Sequence, residues 1–473
     1  MGKAKGTFII FKLSTMRIFL LSILCFPLIA IGQWNQDSIL IHKMEHEIMA
    51  HGKAYDLLRE LTKDIGGRLA GSPEQHDAAI WGKRNMEAFH PDKVYFQPCK
   101  TPNWQRGGTD YAAIIGVNGI ATHKKLAVMA LGNSLASKGL VTGDVMAVSD
   151  FAELEKRKAE VKGKIVYFNS ILDPDAVQTG KAYEDAYIYR SAGPSIAAKY
   201  GAIGVMIHSL STAEDNEPQT GVMEYNDSFP KIPAIALGPN DAKALYAQAK
   251  KSVVKVQMQT WGYFLPDADE NNVVAEIRGS EFPNEIITIG GHLDSWDVNE
   301  GAHDDGTGVV QTMEVLRAMK QLNYHPKHTI RFVLFANEEN GGRGGLKYAE
   351  LAKANHEKQI LALESDDGGF TPRAIGVGCS KAQLEKFQNW NNLLKPYGTE
   401  VVAGGGGADI EPLTTADKNV ILCSLLPDSQ RYFDLHHART DVFENVNKRE
   451  LLLGAVNMAA FIYLTDKYGA ENK

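Results

Sequence analysis

The sequence predicts an α/β protein: a mainly parallel mixed sheet flanked by helices, interrupted by an inserted β-rich module. Three observations carry this prediction. After Pro266, apolar runs of strand length alternate with helical runs, the rhythm of a parallel sheet covered by helices. Between Lys125 and Trp261 the texture changes to short strands and Gly-rich turns. The strand-like run from Glu285 to Gly291 ends in His292 and Asp294, and a Gly-rich turn, Gly301 to Gly308, then leads into the helical run Val309 to Met319. Function collects in α/β sheets where strands stop and loops begin.

In chain order, residues 1–32 read as an export signal. Lys3, Lys5, Lys12 and Arg17 precede the apolar run Ile18 to Ile31, and Ala30-Ile31-Gly32 offers small residues for cleavage before Gln33. Met16-Arg17 with the same apolar run is a complete signal by itself. The run falls short of the ~20 residues a membrane span needs, so the expectation is a secreted or periplasmic protein without stable membrane insertion.

Residues 33–124 open the main domain. Ile39, Ile41, Met44 and Ile48, then Tyr55, Leu58, Leu61 and Ile65, keep helical spacing until Gly66-Gly67 breaks it. Ser72 is placed to cap a new helix with Pro73 in its first turn, and Val94 to Pro98 reads as an edge strand because Pro98 cannot donate to a ladder. Residues 125–261 form the insert, with strands at Leu126 to Leu131, Gly143 to Val148, Lys164 to Phe168, Ala202 to Ile207 and Ile232 to Gly238. It contains no cluster of ligand-type residues, and His208 reads as a packing or surface histidine. Residues 262–473 supply strands at Asn272 to Ile277, Ile286 to Gly290, Thr329 to Phe335, Gln359 to Leu363 and Asn419 to Leu422, then an apolar helix over 450–465.

Composition narrows the function classes. Apolar residues at 44% and charged residues at 23% describe an ordinary globular chain. Lys+Arg number 50 and Asp+Glu 57; without the four cations of residues 1–32 the balance is 46 against 57, a net charge of −11. Nothing basic enough to track a phosphate backbone remains, which excludes nucleic acid as an expected partner. Cys99, Cys379 and Cys423 follow residue 32, an odd number far apart, so the expectation is buried thiols with at most one bridge, Cys379 with Cys423 being a pairing the sequence leaves open.

Five strand ends or loops each carry paired acids or imidazoles: His292 with Asp294, Asp304 with Asp305, Glu338 with Glu339, Asp366 with Asp367, and His436 with His437. Any one pair alone is an ordinary solvated loop. Together they are the ligand inventory of two divalent ions held by carboxylates and one imidazole each. Glu338 and Glu339 follow a buried-looking strand, and neighbours on an extended chain point to opposite sides, so one is placed to hold metal and the other to take a proton from water. Asp294, two residues beyond His292, is placed to orient its imidazole.

Gly291-His292-Leu293-Asp294-Ser295-Trp296-Asp297, Gly301-Ala302-His303-Asp304-Asp305, Asn337-Glu338-Glu339, Glu364-Ser365-Asp366 and His436-His437 with Asp441 resemble the zinc aminopeptidase family, in its plasma glutamate carboxypeptidase (carboxypeptidase Q) branch. Gly67-Arg68-Leu69-Ala70-Gly71-Ser72 extends the resemblance to the start of the main domain. It implies a zinc exopeptidase fold with a protease-associated-like domain over 125–261, and two zinc ions held by His292, Asp304, Glu339, Asp366 and His437. Asp304 would bridge them, with Glu338 as general base. His437 rather than His436 is taken because it stands four residues before Asp441, the spacing of the family's loop. Asp305 is read as structural and Asp409 as lying at or behind the pocket rim.

The function implied is an exported dizinc exopeptidase that hydrolyses short peptides, dipeptides with a free N-terminus, as a homodimer. Two rivals use the same fold: a single-zinc glutaminyl cyclase-like transferase, which would lack the first histidine ligand, and a non-catalytic binding protein, which would lack the metals. His292 argues against the first and the complete acid set against the second.

Overall fold

Ile286 to His292 are buried at every position, as are Gln359 to Glu364 and all but Arg331 of His328–Phe335. Unbroken burial belongs to strands covered on both faces, and these are the inner strands of the main sheet. The structure, a computed structural model, describes residues 35–470, so the export segment read at 1–32 lies outside the described residues. The main sheet runs Lys93–Gln105, Tyr263–Ile277, His328–Phe335, Phe282–His292, Lys358–Glu364, Ile421–Pro427, Pro372–Gly378, Glu400–Ala403. Its four central strands, His328–Phe335 to Ile421–Pro427, are mutually parallel, and antiparallel pairings flank them on either side. The sheet is therefore mixed with a parallel centre, as the alternating pattern predicted.

Helices cover both faces. Thr307–Gln321 is buried from Thr307 to Met319 and packs in one core with Lys448–Tyr468 and with the helix over 35–51 through Ile41, Met44 and Ile48. Asp37 fastens that first helix, accepting from Tyr463 Oη and Tyr468 Oη at 2.5 Å each and pairing with Lys467. Ser72 caps Pro73–Ala88 as expected, its Oγ accepting from Gln75 N at 3.1 Å.

A second mixed sheet of eight strands runs Ile120–Lys125, Tyr111–Val117, Val254–Gln259, Val141–Val148, Ile165–Phe168, Gly204–His208, Ala234–Leu237, Val128–Ala130. Two of its strands precede Lys125. One of them, Ile120–Lys125, is exposed throughout and so carries no alternation to read. Other elements escaped the pattern, among them the strands Pro372–Gly378 and Glu400–Ala403, and the helix Thr179–Ser191. That helix buries Thr179, Ala182, Ala186 and Arg190, a helical spacing made of small and charged residues that hydrophobic periodicity cannot register.

This helix brings the segment that carries the second sheet against the segments of the main sheet. Ala182 and Ala186 pack with Leu172, Leu210, Phe370, Tyr432 and Phe433, and Thr179 Oγ1 donates to Ser429 O at 2.8 Å. Arg106 holds Asp297 with two bonds of 2.7 Å, and Gly132 leaves room for the Trp296 ring, which an added Cβ would meet at 1.9 Å. Cys99, Cys379 and Cys423 are free thiols. Among the described residues no helix is long and apolar enough to cross a membrane.

Candidate metal centre

His292, Phe335 and Glu364 are the last residues of three parallel strands, so the segments after them converge on one edge of the sheet. His292 is held at both ends: its N–H donates to Asp305 Oδ2 at 3.1 Å, and its Nδ1 lies 2.9 Å from the carbonyl oxygen of Asp294. A carbonyl only accepts, which puts the ring proton on Nδ1 and turns Nε2 inward. Asp305 also accepts from Gly308 N at 2.9 Å, the structural role expected of it.

Asp294 meets both His292 and the glutamates. Its carboxylate stands 3.7 Å from His292 Nδ1, whereas it accepts from Glu338 N at 2.9 Å and Glu339 N at 3.2 Å. The two glutamates do not continue the strand, because Asn337 turns the chain at φ +61°. Asp294 thus fixes the turn that presents both glutamates, in place of an extended chain splaying them apart.

Asp304 is anchored through its backbone. Asp441 accepts from His303 N at 2.7 Å and from Asp304 N at 3.1 Å, and the Asp304–Asp305 peptide is cis. Asp304 stands between two groups. Its Oδ1 lies 3.2 Å from His292 Nε2, which is 3.3 Å from Asp366 Oδ1. Its Oδ2 lies 3.2 Å from His437 Nε2, which is 3.1 Å from Glu339 Oε2. His436 Nε2 is farther from Asp304 Oδ2, at 3.7 Å. The five residues expected as ligands therefore meet in one cluster with Asp304 in the middle.

The donor set fits divalent metal. Four ligands at zinc's bond lengths of ~2.0–2.1 Å stand roughly 3.3 Å from one another, the spacing of the His–carboxylate contacts here. Asp304 Oδ2, Glu339 Oε1 and Asp366 Oδ1 are buried without a hydrogen-bond partner, as oxygens reserved for a cation are. Two groupings, His292-Asp304-Asp366 and Asp304-His436-His437, gather enough ligand atoms for an ion.

Burial pushes the Glu338 carboxyl up to about 8, with His292 drawing it down and Asp366, Asp294 and Asp304 adding to the rise. Burial and Asp366 raise Asp367 to about 7. Asp409 is fully buried behind this group: its N–H and that of Ile410 donate to Glu364 Oε2 at 3.2 and 3.1 Å, and both its carboxylate oxygens lack partners.

Three contributors had no role assigned from sequence. Arg68, wholly buried, donates to the carbonyls of Leu293, Glu300 and Gly301 at 2.5, 2.7 and 3.0 Å, and so shapes the loop between His292 and Asp304. Arg190 comes from the insert. Its Nη1 reaches to 3.5 Å from His437 Nδ1 and its Nη2 donates to Tyr183 Oη at 2.7 Å, while Nε is buried without a partner. Thr220 N, also from the insert, donates to the His437 carbonyl at 3.0 Å. Arg68 lay inside a quoted motif, but no sequence signal separates Arg190 or Thr220 from other polar residues of the insert.

An α/β sheet that collects imidazoles and carboxylates in this spacing at the ends of its parallel strands defines the class, a metal-dependent hydrolase. Peptidase family M28 matches residues 272–462. Human carboxypeptidase Q is 33% identical over 419 residues, covering 88% of this chain and 85% of that protein, and the mouse protein is 34% identical over 417 residues, covering 87% and 85%. A peptidase M28 precursor from Shewanella amazonensis superposes with a TM-score of 0.85 at 29% identity, over 93% of this chain and 98% of the other. The zinc aminopeptidase of Bacillus subtilis shares the fold, with a TM-score of 0.63 at 18% identity over 88% of this chain and 96% of its own. The chain belongs to peptidase family M28, in the carboxypeptidase Q branch, and is a metallo-exopeptidase.

Proposed function

We propose that the chain is an exported dizinc exopeptidase that cleaves short peptides, chiefly dipeptides with a free N-terminus. The observation that carries this reading is the position of Asp304, one oxygen toward His292 and Asp366 and the other toward His437 and Glu339. His292 and Asp366 would hold one zinc ion, Glu339 and His437 the other, with Asp304 shared. Bound there, the ions supply an acidified water and polarise the scissile carbonyl.

The chain's own residues do the rest. Glu338, presented by the turn that Asp294 fixes, takes the proton of the attacking water and returns it to the departing amine. His292, Asp304, Glu339 and His437 have side chains under a tenth exposed, whereas Asp366 is 27% exposed, so a substrate reaches the centre from the Asp366 side. So enclosed a site favours a small peptide. Arg190 is a buried cation with no acidic partner among the described residues, and the free carboxylate of a short peptide would meet that need. The reading includes a signal over 1–32, a protease-associated-like domain over 125–261 between the peptidase segments 33–124 and 262–473, and a homodimer.

Zinc content and dipeptide hydrolysis, measured on residues 33–473 and on Glu338→Ala, test the proposal. Two zinc ions per chain are expected, with activity abolished by chelator and restored by zinc, and kcat lowered ~10³–10⁴-fold in a variant that keeps its metal. One zinc with cyclisation of N-terminal glutamine, or no turnover after zinc reconstitution, overturns it.

A further inference from the structure

His436 is buried beside the metal cluster, yet the ligand set leaves it without a task. Consecutive side chains ordinarily diverge. Here His437 adopts φ +61°, the left-handed region that non-glycine residues avoid, and the two imidazoles stack with centroids 3.5 Å apart at 23°. The strained turn keeps a second imidazole in the site. The rings of Tyr183, Tyr432 and Phe433 surround it, with centroids at 5.0, 5.1 and 5.3 Å. Its Nε2 stops 3.7 Å from Asp304 Oδ2, beyond hydrogen-bond reach, and His436 makes no side-chain hydrogen bond to another described residue.

The surroundings say what such a ring offers. When water adds to a peptide carbonyl, the π pair moves onto the carbonyl oxygen, and beside the ions that would polarise it the nearest protein groups are the carboxylates of Glu338, Glu339, Asp304 and Asp366. A neutral or cationic donor, uncommitted and held rigid, is what an oxyanion needs in such a place. Arg68 is spent on three carbonyls, and Arg190, which donates to Tyr183, is assigned above to the free carboxylate of the peptide. His436 has its ring free.

We infer that His436 is not a metal ligand but donates a ring N–H to the scissile carbonyl oxygen as it becomes an oxyanion, stabilising the tetrahedral adduct until its electron pair returns and the C–N bond breaks. The inference rests on the peptidase reading above.

His436→Phe keeps the ring and its stacking while removing the donor; His436→Gln keeps a donor without the ring. Zinc content, melting temperature, kcat and KM for a dipeptide, and affinity for a phosphinic dipeptide analogue are measured on both, loaded with zinc. His436→Phe is expected to keep the zinc content of the wild type, to lose ~10²–10³-fold in kcat with KM within about threefold, and to bind the tetrahedral phosphinate weaker by the same factor as kcat. His436→Gln is expected to regain about tenfold. Loss of one equivalent of zinc makes His436 a ligand and overturns the inference. So does an unchanged kcat, or a loss confined to KM. If the wild type hydrolyses no dipeptide, the functional reading fails by itself, while zinc content and phosphinate affinity still decide the place of His436.

Discussion

Two histidines of this chain occupy the same local position in different sheets. His292 ends the strand Phe282–His292, and His208 ends the strand Gly204–His208, each buried. Around His292 the following loops bring Asp304 and Asp366 to within 3.3 Å. Among the described residues, the His208 ring meets the carbonyl of Ser209 at 2.6 Å, and its Nε2 finds no partner. Burial, with Lys243 adding to it, outweighs the Ser209 carbonyl and lowers its pKa, whereas the acids facing His292 outweigh burial and raise it. A strand-end histidine is thus chemically silent until the loops of neighbouring strands supply charge.

The sharpest way to test that contrast is to remove the cation that residues 125–261 bring to the charged end. Arg190→Met is expected to raise KM for dipeptides about 10²-fold while changing a C-terminally amidated dipeptide less than threefold, read from parallel kinetics on the two substrates. An equal loss on both would mean that Arg190 only supports His437. Next comes Asp441, which touches no substrate but holds the backbone of His303 and Asp304. Asp441→Asn should cost roughly 10–100-fold in zinc affinity or activity, measured by competition with a chromophoric chelator.

The acids of the two regions should also titrate in opposite senses. Burial raises Glu270, beside Gly71 in the main domain, to about 7, so its favourable contribution to folding is complete below its ordinary 4.5 and lost as pH climbs through about 7. In Glu153 of the insert, burial is outweighed by Ser149, Lys250 and Arg157, and a pKa of about 2 makes its contribution complete above 4.5 and lost as pH falls toward 2. Melting curves of Glu270→Gln should therefore gain on the wild type above pH 7, and those of Glu153→Gln should lose. The smallest effect belongs to His208→Phe, with hydrolysis within about twofold of wild type and stability within roughly 1 kcal/mol; a large loss of activity would break the comparison outright.

The sequence made the catalytic half legible because its chemistry sits in contiguous pairs, several at the ends of apolar runs. His292, Glu339 and Asp366 each come at or just after such a run, and periodicity locates the runs, whereas Asp304 and His437 stand in polar loops that only the paired motifs mark. The rest depended on contacts between distant segments. The presentation of the two glutamates is not legible because a single left-handed residue, Asn337, turns a chain that pattern reads as straight. Arg190 stayed hidden because its helix buries alanines and an arginine where an apolar stripe would have marked it. The strand Ile120–Lys125, exposed on both faces, has no pattern to show.

The hydrogen bond from Thr220 to the carbonyl of His437, with Trp296 seated over Gly132, ties assembly of the metal centre to a folded insert. Without those residues the Trp296 indole would lose its cover and the loop carrying His437 its backbone donor.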